Sequence, residues 1–235
     1  MQKLSEFISV NKMEIFGNYI DNFEKYMQMM LDYNEKVNLT AITERDEIIE
    51  KHFMDCVSLL MSEKLFENCS MIDIGTGAGF PSIPVKIVRP DIDITMLDAL
   101  NKRITFLNSV IDELKLPKIK AVHMRAEDAG KIKEMREKYD ISVARAVADM
   151  AVLSEYALPF VKKDGYFVAM KGSAPDEELE NAKGAIKQLG GKTEEVKKVI
   201  LPSGIEHSLI IVRKVSETPA RFPRKAGKPV KEPLR

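Results

Sequence analysis

Hydrophobic and polar positions change rhythm along this chain. At the start, apolar residues recur three and four apart. Ile15, Phe16, Tyr19, Ile20, Phe23, Tyr26, Met27, Met30 and Leu31 follow that spacing, which puts them on one helical face. A capping-box pattern, Asn11-Lys12-Met13-Glu14, predicts where this long helix opens. A short helix is predicted over 2–10, and a third near 44–61 with Ile48, Ile49, Phe53, Cys56, Val57 and Leu60 at helical spacing. The aromatic and methionine stripe reads as core. The stretch from Asn38 to Thr43 reads as a loop before the third helix.

At Ser70 the pattern changes to short apolar runs alternating with helical ones. Strands are predicted at 70–74, 92–97, 119–124, 139–144, 165–171, 193–201 and 207–215. Helices are predicted at 80–89, 101–115, 127–137, 149–159 and 175–189. Such alternation builds βαβ units, hence an α/β fold with a seven-stranded, mostly parallel sheet and helices on both faces. The last two strands have only the turn-like Pro202 to Glu206 between them, which predicts a hairpin and one antiparallel strand inserted at the sheet edge. The expected organisation is a helical cap (1–66), the α/β domain (67–217) and a basic, proline-rich tail (218–235). Prolines at 219, 223, 229 and 233 predict a tail that is extended and mobile unless it docks.

Composition narrows the field. With 235 residues, 45% of them hydrophobic, one large domain with an appendage is expected. The formal net charge is zero, so no global field points to nucleic acid. The distribution is uneven: residues 1–70 carry 7 Lys/Arg against 13 Asp/Glu, whereas 218–235 carry 6 against 1. Two cysteines without CxxC spacing predict neither a disulfide framework nor a zinc site, and no cluster has metal-ligand spacing. The first residues lack the apolar core of a signal peptide, and no run approaches the length of a bilayer span. A cytoplasmic protein without a catalytic metal is expected.

The sharpest local signal is Met71-Ile72-Asp73-Ile74-Gly75-Thr76-Gly77-Ala78-Gly79-Phe80-Pro81, in which a strand runs into a glycine loop and then a helix. A dinucleotide fold uses GxGxxG beside a pyrophosphate. Here the spacing is GxGxG with a carboxylate two residues ahead of it. That form resembles motif I of S-adenosylmethionine methyltransferases, because a carboxylate suits an amino group and a sulfonium better than a pyrophosphate. Asp98 ends the second strand, 23 residues after Gly75, where an acid can accept from ribose hydroxyls. Arg125-Ala126-Glu127 follows the third strand, the place where methyltransferases read adenine. No Asn-Pro-Pro-Tyr or Asp-Pro-Pro-Tyr motif follows the fourth strand at Val143-Ala144-Arg145-Ala146, which argues against methylation of an exocyclic amine.

Together these segments resemble one family, the RsmG (older name GidB) methyltransferases. The resemblance is carried by Asn34 to Thr40, Lys51-His52-Phe53-Met54-Asp55, Ile72 to Pro84, Leu97 to Leu107, Arg125-Ala126-Glu127, Ala144-Arg145-Ala146, Ala169-Met170-Lys171-Gly172 and Thr218 to Pro229. It departs at Ala99-Leu100, where Ser-Leu is common, and at Cys56, where Ser is usual. The family methylates N7 of the guanine at position 527, in the 530 loop of bacterial 16S ribosomal RNA. The resemblance implies S-adenosylmethionine as cofactor, with Gly75, Phe80, Ala126, Glu127 and Arg145 contacting it. Strand-end geometry adds Gly77, Gly79 and Asp98. Guanine N7 offers a lone pair and no proton, so positioning rather than a general base is expected. Asn38, His52 and Lys171 are expected to position the guanine or its phosphates. Lys102, Arg103, Lys118, Lys120, Arg125, Lys171 and the tail are expected to form a basic rim for RNA. His123 and His207 are read as structural. The partner implied is 16S rRNA, within the small subunit or an assembly intermediate, and the chain is expected to act as a monomer. Without the resemblance, the residues leave open a small-molecule methyltransferase, an NAD-binding oxidoreductase and a non-catalytic RNA-binding factor.

Overall fold

The computed structural model describes all residues except Asn18, Ala146 and Val147, so Ala146 of the stretch noted above lies outside the described residues. Two helices lead: α1 (Gln2–Val10) and α2 (Ile20–Asn34). A continuous helical segment follows, changing pitch as it goes. It runs from α3 (Arg45–Glu47) through a π-helical stretch (Ile48–Met54) and α4 (Asp55–Val57) into a 3-10 turn (Ser58–Ser62). The long helix does not open at Asn11 as predicted. Asn11 instead closes α1, with its backbone N–H and its side-chain Nδ2 both donating to the Phe7 carbonyl. Lys12 and Gly17 take φ of +50° and +77°, which no helix can accommodate, and Phe16 N–H donates to the Val88 carbonyl. An Asn side chain can also bond the last carbonyls of a helix, as Asn11 does here, so the four-residue pattern was ambiguous.

The domain then alternates β1 (Ser70–Ile74), α5 (Ser82–Val88), β2 (Asp93–Asp98), α6 (Asn101–Glu113), β3 (Ile119–His123), α7 (Ala126–Ala129), β4 (Tyr139–Arg145), α8 (Met150–Ala157), β5 (Val161–Lys171), α9 (Asp176–Gln188), β6 (Gly191–Ile200) and β7 (Glu206–Lys214). The sheet order is β3-β2-β1-β4-β5-β7-β6. Five strands run parallel, and the predicted hairpin adds β7 antiparallel to both neighbours. The inserted strand lies just inside the sheet, and β6 forms its edge.

Strand alternation separates two cores. Along β7, Leu209 and Ile211 join the core shared with α2, α5, α6 and the helical cap, whereas Ile210 and Val212 face α8 and α9. The cap therefore shares one continuous core with a sheet face. The helix predicted at 127–137 is one turn, Ala126–Ala129, followed by turns. The tail is not loose: Phe222 is buried in the second core, and a short turn, α10 (Lys228–Lys231), follows it. No helix of the described residues is long and apolar enough to cross a membrane.

Candidate functional site

All parallel strands end on one side, and the glycine loop emerges there between β1 and α5. Gly75, Gly77 and Gly79 hold φ of +71°, +62° and +101°, values that L side chains rarely adopt. The loop is pinned from three directions. Gly75 N–H donates to the Leu97 carbonyl at 2.8 Å. Gly77 N–H donates to Asp98 Oδ2 at 2.9 Å. From the cap, the Tyr26 hydroxyl donates to the Ala78 carbonyl at 2.6 Å. Tyr26 belongs to the stripe read as core, and nothing in its spacing marks the polar reach of its ring tip.

Asp73 lies under the loop, wholly buried. Its Oδ2 accepts from Thr76 Oγ1 and Ser82 Oγ, both at 2.7 Å, and among the described residues its Oδ1 has no partner. Burial, only partly offset by those two hydroxyls, pushes its carboxyl up to about 7. It acts on the site through the loop it holds.

Two cavities meet at Gly75, Asp98 and Ala99. The first, about 470 Å³, is bounded by the glycine loop, Phe80, His52, Thr40, Arg103 and Arg145. The second, about 290 Å³, is mostly apolar and runs between Leu97, Met124, Ala126, Glu127 and Tyr156. Asp98 stands at the junction. Besides Gly77 it takes Leu100 N–H at 2.9 Å and Arg103 Nη1 at 3.1 Å.

Arg145 forms the floor of the first cavity. Its guanidinium meets Asp55 Oδ2 and Cys56 Sγ at 2.9 Å and His52 Nδ1 at 2.8 Å, and it lies 5.2 Å from the centre of the Phe80 ring. An arginine can only donate, so Nδ1 of His52 accepts and Nε2–H donates to Thr40 Oγ1 at 2.8 Å. The imidazole stacks on Phe80 at 4.4 Å. Burial, reinforced by the Arg145 charge, lowers its pKa to about 4, so it is neutral at pH 7. Asp55 also takes His207 Nδ1 at 3.1 Å, and His207 Nε2 lies 3.0 Å from Ser58 Oγ. Where members of the resembling family have serine, Cys56 offers Arg145 a sulfur instead of an oxygen.

The positions expected from sequence therefore divide. Gly75, Gly77, Phe80, Asp98, Ala126, Glu127, Arg145 and His52 line the joined cavities. Gly79 lies behind the loop, packed against Ile83 and Leu107. Asn38 is exposed beside Leu39 and Thr40, which do line the first cavity. It is Asn34 that shapes this loop, accepting from Leu39 N–H and donating to the Thr40 carbonyl. Lys171 lines neither cavity: it pairs with Glu178 and donates to the Ala148 carbonyl. The expected basic rim is corrected at Lys118, which bonds Asn68 before β1 and so sits at the opposite end of the strands. Asp55, Thr40 and Tyr156 were not among the expected site residues; Asp55 and Thr40 stood only within stretches of family resemblance.

Two buried groups give opposite pH signatures. His52 has its pKa depressed from 6.5 to about 4, so its contribution to stability is present above 6.5 and lost as pH falls toward 4. Asp73 has its pKa raised from 3.8 to about 7, so its contribution is present below 3.8 and lost as pH rises through 7. Between pH 4.5 and 6 the two nearly cancel. Urea unfolding across that range should show His52→Gln gaining stability on acidification relative to wild type, and Asp73→Asn losing it. Parallel curves for all three proteins would refute both assignments.

The GidB family, described as rRNA small subunit methyltransferase G, matches residues 19–208. A protein named Ribosomal RNA small subunit methyltransferase G from Clostridium botulinum (strain Loch Maree / Type A3) is 52% identical over 216 residues, covering 92% of this chain and 90% of that protein. One of the same name from Clostridium perfringens (strain 13 / Type A) is 47% identical over 224 residues, covering 95% and 94%. A solved structure of a SAM dependent methyltransferase from Aquifex aeolicus shares the fold with a TM-score of 0.54 at 18% identity, covering 72% of this chain and 93% of that one.

Proposed function

The chain belongs to the GidB family, rRNA small subunit methyltransferase G, and on that premise we propose that it transfers the methyl group of S-adenosylmethionine to N7 of a guanine in the 530 loop of 16S ribosomal RNA. The fold is that of the S-adenosylmethionine-dependent methyltransferases. The residues present suit this cofactor. Asp98 offers an acceptor at the junction of the cavities, the positive-φ glycines allow close backbone approach, and the apolar second cavity suits a purine. Gly75, Gly77, Phe80, Asp98, Ala126, Glu127 and Arg145 would hold it.

The choice of N7 rests on one observation: the cavity holds no spare base. Both nitrogens of His52 are engaged, one by Arg145 and one by Thr40. Asp98, the only carboxylate among the described residues lining the first cavity, already accepts from three donors. A hydroxyl or protonated amine acceptor needs its proton taken away, whereas guanine N7 reacts through a lone pair that carries none. When bound, the cofactor supplies a methyl group on a positively charged sulfur, and transfer moves that charge to the guanine. The site's own cations tolerate this, because Arg145 is balanced by Asp55 and Arg103 by Asp98. What the chain must supply is alignment, which is worth up to roughly 7–11 kcal/mol in favourable cases. His52 is placed to help: it is rigid, neutral and stacked, and through Thr40 it holds the loop beside Asn38 over the cavity.

Exposed Lys102 and Arg125 flank the mouth and would meet RNA phosphates. Ribosomal RNA as substrate makes the cytoplasm the expected compartment, and since one chain carries every residue of the site, a monomer suffices. The deciding experiment is methyl transfer from labelled S-adenosylmethionine to small subunits and, separately, naked 16S rRNA from cells lacking this gene. A single 7-methylguanine in the 530 loop is expected. Label on another atom or another base would remove the N7 proposal.

A further inference from the structure

The proline-rich tail was expected to be mobile, yet it is tied down along its length. Arg136 donates to the carbonyls of Phe222 and Gly130 at 2.7 and 3.0 Å and also reaches that of Thr218. Arg224 pairs with Glu155, a carboxylate with no exposed surface, through its side chain and its own backbone N–H. A buried charge of that kind requires its partner, so this pair holds the tail firmly. The chain then turns at Gly227, φ +79°, whose N–H donates to Glu127 Oε1 at 3.0 Å. The same carboxylate faces Tyr156 across the second cavity, and burial together with this charge pushes the Tyr156 hydroxyl's pKa up. The turn that follows delivers Val230 to the mouth of the second cavity, where this side chain is a wall and yet 61% exposed.

A large apolar side chain held at the lip of an apolar slot, with nothing of this chain covering it, is placed to receive a ligand surface. Resting on the S-adenosylmethionine reading of the site, we propose that Arg224–Lys231 is the outer wall of the cofactor's adenine pocket. Val230 packs on the purine. Glu127, which itself lines the pocket, also positions this wall through Gly227, and the Arg224–Glu155 pair is the anchor. The wall closes the end of the joined cavities farthest from Arg145, so it grips the nucleoside and leaves the methyl-transfer end open to RNA. Cofactor binding and tail docking should then reinforce each other.

The test uses the full chain with S-adenosylhomocysteine and with adenosine as calorimetric ligands. Val230→Asp decides, because Val230 is exposed and its replacement leaves the ligand-free melting temperature in place. It should weaken both ligands by the same factor, tenfold or more, and Val230→Ile should restore them. Removing residues 224–235 should weaken both further, although it also strands Glu155. In the ligand-free protein, Glu127→Ala should speed tryptic cleavage after Lys225 and Lys231. In the wild type, S-adenosylhomocysteine should slow those cuts with half-effect at its Kd. Wild-type binding unchanged by Val230→Asp would overturn the wall and leave the cofactor reading standing. No binding of either ligand by the wild type would overturn that reading and the wall with it.

Discussion

Gly79→Ala should remove much of this protein's margin of stability, while Gly77→Ala, two residues away, should cost less stability and weaken cofactor binding by roughly 5- to 150-fold. At Gly79 a Cβ would stand 2.5 Å from Ile83 Cγ1 and 2.9 Å from Leu107 Cδ2, at a φ of +101°. Overpacking of that kind costs about 1–3 kcal/mol and the disfavoured φ about 1–2 kcal/mol. Their sum is a large share of the ~5–15 kcal/mol that holds a typical domain together. At Gly77 a Cβ meets nothing within 4 Å, so only the cost of its φ of +62° remains. That open space is the cavity itself, and a methyl group there displaces the cofactor. An overlap worth about 1–3 kcal/mol weakens binding by roughly 5- to 150-fold. Urea unfolding and calorimetry with S-adenosylhomocysteine separate the two effects. If both variants lost stability equally and bound equally, the division of the loop into a packed glycine and a ligand-facing one would be wrong.

That division shows where sequence stops informing. GxGxG marked all three glycines as one motif, because spacing reports the need for positive φ and not what surrounds each residue. The alternation of strands and helices was legible because each sheet face must bury every second residue, as Leu209 to Val212 do on β7. Asp98 was legible because a strand end fixes its place. The tail was not legible: its anchors are Arg136 reaching backbone carbonyls and a Glu155–Arg224 pair 69 residues apart, neither of which leaves a periodic trace. Asn11 misled for a related reason, since its side chain serves either helix end and the chain around it decides. Lys171 looked suitably placed at the end of β5, but Glu178 on the following helix takes its charge. A charged residue's partner is a matter of tertiary geometry, and sequence shows only its candidates.

Arg145→Met should slow methyl transfer by on the order of 100-fold and move the titration of His52, and the two effects share one cause. The guanidinium has side-chain exposure of 16% and Asp55 of 15%, so the pair is largely withdrawn from water. Removing one member of such a pair costs about 3–5 kcal/mol, because the other is left buried with its charge. Here His207 already touches Asp55 and can take up a proton, which should bring the loss toward the low end of that range. His52 loses the donor that fixes its tautomer. Its ring can then rotate, and the Thr40 hydrogen bond that holds the loop over the cavity is no longer specified. A shift of about 1 Å in such a loop costs on the order of 100-fold in rate. With the neighbouring cation gone, the His52 pKa should rise above its wild-type value of about 4 but stop short of 6.5, because burial is the larger cause of the depression and survives the substitution. Arg145→Lys keeps a charge beside Asp55 yet lacks the fork that reaches His52 and Cys56 together, so it should recover stability more than rate. Proton NMR of the three histidines, read alongside single-turnover methylation, checks the whole chain of cause. A His52 that titrates near 6.5 in the wild type, or full activity in Arg145→Met, would show that this network neither sets the imidazole's charge nor positions the acceptor.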